Sequence, residues 1–315
     1  MNFKITNPVF FDLKKLNLIN KKDLILINKK TRDKKIRVFQ DKKSQIIFLE
    51  KYIRNINYYK YEKGAPRDKH KSITKLIGGE ILKINKINYL NKKNSSKLNV
   101  VGDDYRRYDQ FKKMFKNKKI CDFGCGYAGF LSLCRKLTKN LYGVEVNDFY
   151  LKYLYNKKKF INTSNDINNF KTKFDLVTLF HVLEHLPSQI SILEKIKKNL
   201  KKKGKVIIEV PHANDFLLIK KNNQSYKNFI FWSEHLVLHT ERSIKTFLKK
   251  AGFKKVDIIY FQRYGFTNHF HWFQNGLPGG HEINKKDFKI KFEKIYKNYL
   301  EEKKYSDTII AIASN

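Results

Sequence analysis

The run Cys121-Asp122-Phe123-Gly124-Cys125-Gly126-Tyr127-Ala128-Gly129-Phe130 constrains this chain more than any other feature. A short apolar strand over 119–123 leads into it and a helix follows it. Gly124 and Gly126 let the backbone turn tightly and lie against a ligand where a Cβ would clash. The helix that follows starts with free N–H groups. A glycine-rich turn in this strand-to-helix setting predicts binding of a nucleotide or nucleoside.

From there on, apolar strand-like runs alternate with helical ones. Strands are expected over 119–123, 140–146, 174–181, 205–210, 256–261 and 307–313. Helices are expected over 187–200 and 240–251, with Gly204 and Gly252 as stops. This alternation predicts an α/β fold, a Rossmann-like and mostly parallel sheet with helices on both faces. Ligands then bind at the carboxyl ends of the strands. The first hundred residues follow another pattern. Ile36–Gln40 and Gln45–Leu49 flank Asp41-Lys42-Lys43-Ser44 as the arms of a hairpin would. A helix is expected over 71–84 and a polar, turn-rich stretch over 91–96. Residues 1–100 thus read as a small α+β accessory region, and 101–315 as the main domain, opened by a helix from Asp103 through Phe115.

Three cysteines, Cys121, Cys125 and Cys134, sit close together in one strand–loop–helix stretch. Their odd number and their spacing argue for buried packing rather than a disulfide framework or a zinc site. With 67 Lys+Arg against 29 Asp+Glu the formal charge is +38, which by itself suggests an anionic partner such as nucleic acid. The abundance of Lys, Asn, Ile, Tyr and Phe, with only 14 Gly and 5 Pro, is what an AT-rich coding sequence favours. On that account the charge is compositional, spread over solvated faces. No stretch approaches the ~20 apolar residues of a membrane span, and the N-terminus has no apolar leader pattern. A cytoplasmic location is expected. The oligomeric state is not legible.

A second signal stands at the end of the next strand, in Tyr142-Gly143-Val144-Glu145-Val146-Asn147. A carboxylate there, 145 − 122 = 23 residues after Asp122, is placed to accept hydrogen bonds from both hydroxyls of a ribose. Together, Asp122-Phe-Gly-Cys-Gly, Glu145, Asp166-Ile167 and the stretch Phe174-Asp-Leu-Val-Thr-Leu-Phe180-His181-Val-Leu-Glu184-His185-Leu186 resemble class I S-adenosylmethionine-dependent methyltransferases. The Phe-His-Val-Leu-Glu-His-Leu stretch is similar to the branch with ubiquinone-pathway and sugar-modifying members. The resemblance covers about residues 103–315. It implies a seven-stranded sheet whose last strand, over 307–313, runs antiparallel beside 256–261. It implies S-adenosyl-L-methionine as cofactor, bound by Asp122 among others, with Gly124 and Gly126 at its methionine part, Glu145 at the ribose, and Asp166 and Ile167 beside the adenine. Phe180 and His181 would line the methyl-transfer site. Ala128 departs from the pattern, standing where many relatives carry a third glycine.

Transfer to a hydroxyl benefits from a general base, and histidine suits neutral pH. His181 and His235 are the preferred catalytic pair, ahead of His185. No metal site is expected. His181 and His185 are four apart, but a zincin helix needs a Glu directly after the first His and a third ligand. The segment from Gln262 to His281 mixes aromatics, amides, histidines and glycines. It reads as a substrate-binding insertion spanning about 262–306, with Arg263, Tyr264, Asn268, His269 and His271 as contacts; the arginine suits a phosphate. The loop resembles one in methyltransferases of surface-polysaccharide pathways. The expected partner is a small-molecule acceptor, anionic or sugar-linked, methylated on a hydroxyl. The alternatives are an RNA methyltransferase and a non-catalytic cofactor-binding scaffold. RNA is the less favoured partner, because Lys is dispersed and the Asn/Asp-Pro-Pro-aromatic motif is missing after the fourth strand.

Overall fold

The strand–turn–helix order read from the chain is the order found. The computed structural model describes residues 4–53, 56–61, 100–280 and 287–315. The helix expected over 71–84 and the turns over 91–96 lie outside the described residues. The expected division at residue 100 stands as a proposal.

In chain order the elements begin with α1 (Pro8–Lys15), β1 (Leu24–Asn28), β2 (Val38–Asp41), β3 (Ile47–Leu49) and α2 (Ile56–Tyr61). The glycine-rich turn is framed by α3 (Gly102–Phe115), β4 (Ile120–Phe123), α4 (Gly129–Cys134), β5 (Leu141–Val144), α5 (Asp148–Lys157) and β6 (Asn162–Ser164). Next come β7 (Phe174–Phe180), α6 (Gln189–Asn199), β8 (Leu200–Pro211), α7 (Phe216–Ile219), α8 (Gln224–Ile230) and β9 (Val237–Leu238). The chain closes with α9 (Glu241–Lys250), β10 (Lys255–Phe261), α10 (Phe266–Asn275), α11 (Asp287–Glu302) and β11 (Thr308–Ser314).

The large sheet has seven strands in the order β10-β11-β8-β7-β4-β5-β6. β4 pairs in parallel with β5 and β7, and β5 with β6, whereas β10 and β11 are antiparallel. This is the α/β Rossmann-like sheet with an antiparallel last strand. A separate four-stranded sheet, β1-β2-β3-β9, is antiparallel throughout. The turn between β2 and β3 is held by Asp41, whose Oδ1 accepts from the backbone of Lys43 and Ser44 at 3.1 and 2.8 Å.

Two compact units divide the chain: residues 1–53, 180–197 and 206–315 in one, and 54–179 with 198–205 in the other. In the first, the small sheet buries Val38, Ile47, Leu49 and Leu238 against Leu217, Phe231 and Trp272. In the second, Phe115 and Phe130 meet edge to face at 5.4 Å, joining the helices on either side of the glycine-rich turn.

Two expectations need correction. Gly204 does not stop a helix: β8 begins at Leu200 and runs through it. A Cβ at that position would stand 2.8 Å from the Phe174 carbonyl oxygen, so glycine is there for close backbone approach. The stretch Gln262–His281, read as a loop, holds the helix α10 over Phe266–Asn275. Gly265 caps the N-terminus of α10, and Gly276, at φ 62°, closes it in the left-handed region that favours glycine.

Candidate active site

The glycine-rich turn is stitched to β5 by its own backbone. The N–H groups of Gly124 and Cys125 both donate to the Val144 carbonyl, at 2.8 and 3.1 Å. Gly124 (φ 78°), Gly126 (φ 53°) and Ala128 (φ 53°) occupy the left-handed region. A Cβ on Gly126 would meet nothing within 4 Å, so the space over the turn is open. Ala128 thus holds a left-handed conformation that a glycine would take without cost.

Glu145 leans back over this turn. Its Oε2 accepts from the Gly126 N–H at 2.8 Å, and its Oε1 from the Val146 and Asn147 N–H groups at 2.8 and 2.9 Å. Burial raises its pKa, and these three donors oppose that rise. An ionised carboxylate offers about four acceptor sites, so this bonding leaves room for one ribose hydroxyl rather than two. Asp122, beneath the turn, accepts from Thr178 Oγ1 at 2.7 Å. Burial pushes its pKa up to about 7, against the pull of that bond and of Arg107. Asp166 caps a short 3-10 turn through the Asn168 N–H at 2.8 Å and leaves Ile167 fully buried beside it. An open face over glycines, a carboxylate with spare acceptor capacity and an apolar neighbour fit a nucleoside cofactor. Cys121, Cys125 and Cys134 are free and buried.

His181 follows directly on β7, whose last residue, Phe180, is half-buried. Its φ of 55° is left-handed, a costly state for a residue with a Cβ and one found most often at functional sites. Its Nδ1 lies 3.2 Å from Glu184 Oε1 and its Nε2 lies 3.2 Å from Glu209 Oε1. Both carboxylates are fully buried. Burial lowers the imidazole pKa, but the two carboxylates outweigh it and the net shift is upward. With both ring nitrogens facing carboxylates, the imidazolium is the favoured form. The Arg263 Nη1 at 3.4 Å from Nε2 is then a second cation beside it, not a hydrogen-bond donor.

Arg263 is held by its backbone. Its N–H and that of Tyr264 donate to the Asp307 carboxylate at 3.1 Å, and Lys297 Nζ donates to its carbonyl at 2.7 Å. The guanidinium lies over the Tyr264 ring at 5.3 Å. Sequence reading thus placed His181, Arg263 and Tyr264 in what proves to be one neighbourhood. Asn268 and His269 are buried in α10 instead. His269 stacks on Phe216 at 5.8 Å, and its Nδ1 meets the Tyr296 hydroxyl at 2.9 Å. Burial lowers its pKa to about 4, which describes a packing histidine. His271, two residues on and so on another side of the helix, contacts Asn275 at 2.9 Å.

His235 lies against His185, with ring centroids 4.9 Å apart. Burial, with the neighbouring His185, lowers its pKa to about 3. It stays neutral but is a weak base. Sequence reading missed Glu209 altogether and gave Glu184 no role in the site. The signal for Glu209 was present: one carboxylate inside the apolar run Val206-Ile-Ile-Glu209-Val210.

Residues 101–258, half of the chain, match a family profile described as a methyltransferase domain. A carboxy-S-adenosyl-L-methionine synthase of Campylobacter jejuni is 26% identical over 172 residues, covering 46% of this chain and 72% of that protein. A tRNA U34 carboxymethyltransferase of Campylobacter fetus is 24% identical over 156 residues, covering 46% of this chain and 54% of that one. Among solved structures, an S-adenosylmethionine-dependent methyltransferase of Archaeoglobus fulgidus aligns with a TM-score of 0.45 at 21% identity, over 67% of this chain and 92% of its own.

Proposed function

This chain belongs to that methyltransferase family and uses S-adenosylmethionine as its cofactor, and on that premise we propose that it methylates a hydroxyl of a small acceptor, a sugar or sugar nucleotide of surface-polysaccharide metabolism. The observation that carries this reading is His181, fixed at 3.2 Å from each of two buried carboxylates with the Arg263 guanidinium 3.4 Å away. A proton-handling group beside a cation suits an acceptor that bears both a hydroxyl and a phosphate.

When bound, S-adenosylmethionine supplies a methyl group already activated by its sulfonium charge. Glu145 accepts from a ribose hydroxyl, Gly124 and Gly126 let the turn approach the methionine part, and Asp166 and Ile167 flank the base. Arg263 orients the anionic group of the acceptor. His181, once deprotonated, takes the hydroxyl proton and shares it with Glu184 or Glu209. Holding the acceptor in line contributes about 7–11 kcal/mol where alignment is good.

An RNA acceptor is the second reading, favoured by the name of the 24% identical relative and by the charge of +38. Incubation of the purified protein with methyl-labelled S-adenosylmethionine and a fractionated cell extract separates the two. Label in the acid-soluble sugar-nucleotide or glycan fraction is expected. Label in nuclease-sensitive material would replace that reading with the RNA one. No label anywhere would favour a non-catalytic scaffold.

A further inference from the structure

Beside His181, two histidines that methyl transfer does not use stand next to Glu184. Glu184, His185 and His235 each offer one ligand atom, and the three atoms lie within 4.8 Å of one another. We propose that Glu184, His185 and His235 bind a divalent transition-metal ion, zinc being the one to which the ligand set is best suited. The inference goes beyond methyl transfer and stands or falls without it.

Two of the three residues carry a buried polar atom that has no hydrogen-bond partner: Glu184 Oε2 and His235 Nδ1. Leaving such an atom unsatisfied costs about 1–3 kcal/mol, and a metal ion would use the lone pair of each. The third ligand is oriented as metal-binding histidines are. His185 Nδ1 lies 3.0 Å from the Glu234 carbonyl. That oxygen only accepts, so Nδ1 carries the proton and Nε2 carries the lone pair. Nε2 is the nitrogen on the Glu184 side, 3.9 Å from its Oε1.

Charged groups around the site act in both directions. Arg32, whose charge acts on His235, weakens the site; Asp33 and Glu234 act on Arg32 in turn and partly offset it.

The backbone under the ligands is fixed, because the Leu236 N–H donates to the Glu184 carbonyl at 2.8 Å. Zinc bonds of about 2.0–2.1 Å place tetrahedral ligand atoms about 3.3 Å apart. The side chains therefore close in by up to about 1.5 Å on binding. Two imidazoles and one carboxylate favour zinc over magnesium, which prefers oxygen ligands. Three protein ligands leave a fourth position for water or an oxygen of the acceptor.

The test is titration of chelator-treated full-length protein with zinc, followed by calorimetry and without any methyl donor. About one equivalent is expected to bind. His185→Gln and His235→Gln are each expected to weaken binding by more than about tenfold, the low end of what outer-shell losses alone produce. Binding well below one equivalent, or either folded variant within twofold of the unmodified protein, would overturn the proposal. Thermal melting without metal shows whether the variants fold. If they do not, cobalt(II) on the unmodified chain decides. Visible bands of a tetrahedral nitrogen–oxygen site are expected. Their absence, or a sulfur-to-cobalt charge-transfer band placing the ion at the cysteines, would overturn it.

Discussion

His181 and Glu209 are joined twice: the His181 N–H donates to the Glu209 carbonyl at 2.8 Å, and the imidazole Nε2 stands 3.2 Å from the carboxylate. The first bond fixes the backbone and the second fixes the proton. Because Glu209 and Glu184 together raise the imidazole pKa above its ordinary 6.5, the pair's contribution to stability is complete below that value. It is lost as pH rises through the folded pKa. The base form of His181 appears only over the same upper range, so activity should rise there.

Removing one carboxylate charge should bring that rise to lower pH. In Glu209→Gln the ascending limb of kcat/KM is expected to move down by about one pH unit, equivalent to about 1.4 kcal/mol. His181→Ala should lower kcat by about 10²–10⁴ while cofactor affinity stays within a few-fold. A limb that does not move, together with normal turnover in the alanine variant, would take His181 out of the mechanism.

Glu145→Ala should weaken S-adenosylmethionine binding at least tenfold by calorimetry. Its carboxylate also accepts from the N–H groups of Gly126, Val146 and Asn147. Stability should therefore fall as well, by about 1–3 kcal/mol for the donors left bare. Unchanged affinity would remove Glu145 from the ribose.

The Asp122 carboxyl, with a pKa raised from 3.8 to about 7, keeps its proton in the folded chain over a range where the unfolded chain has lost it. Its contribution to stability is thus present below 3.8 and lost as pH rises through about 7. Asp215 behaves alike, its pKa raised to about 7 first by burial and then by Asp307. Thermal melts from pH 5 to 8 should show a shallower decline for Asp122→Asn than for the unmodified protein. Parallel declines would mean that Asp122 does not titrate in this range.

Gly143 faces a thiol: a Cβ there would come within 2.7 Å of Cys125 Sγ. Gly143→Ala should cost about 1–3 kcal/mol through overpacking, measured by urea unfolding. Adding Cys125→Ala should recover most of the loss, since the two sites couple directly. Additive losses in the double variant would mean that the strain lies elsewhere.

Six of the seven strands of the large sheet were legible because short apolar runs such as Ile120–Phe123 and Phe174–Phe180 are bounded by clear breaks; β6, the short polar run Asn162–Ser164, was missed. Gly204 misled, because a glycine inside a buried strand and a glycine after a helix look alike in sequence. In α10 the buried side is built from Asn268, His269 and Trp272, while Phe266, Phe270 and Phe273 are exposed. The hydrophobic period that marks a helix was thereby reversed, and the segment read as a loop. The glycine-rich turn and Glu145 stood out because each answers to local chemistry. The environment of His181 did not, since Glu209 reaches it from a strand 28 residues later and only topology brings the two together.

The small sheet has a consequence for how this protein is born. Phe48 in β3 pairs with Val237 in β9, a separation of 237 − 48 = 189 residues. While the chain emerges from the ribosome, β1, β2 and β3 wait with an unpaired edge until β9 has been made. An open strand edge is a template for pairing with other chains, and at about 5–20 residues per second the wait lasts roughly ten seconds or more. Early synthesis is therefore the interval in which the nascent chain is most exposed to misassembly and most in need of a chaperone.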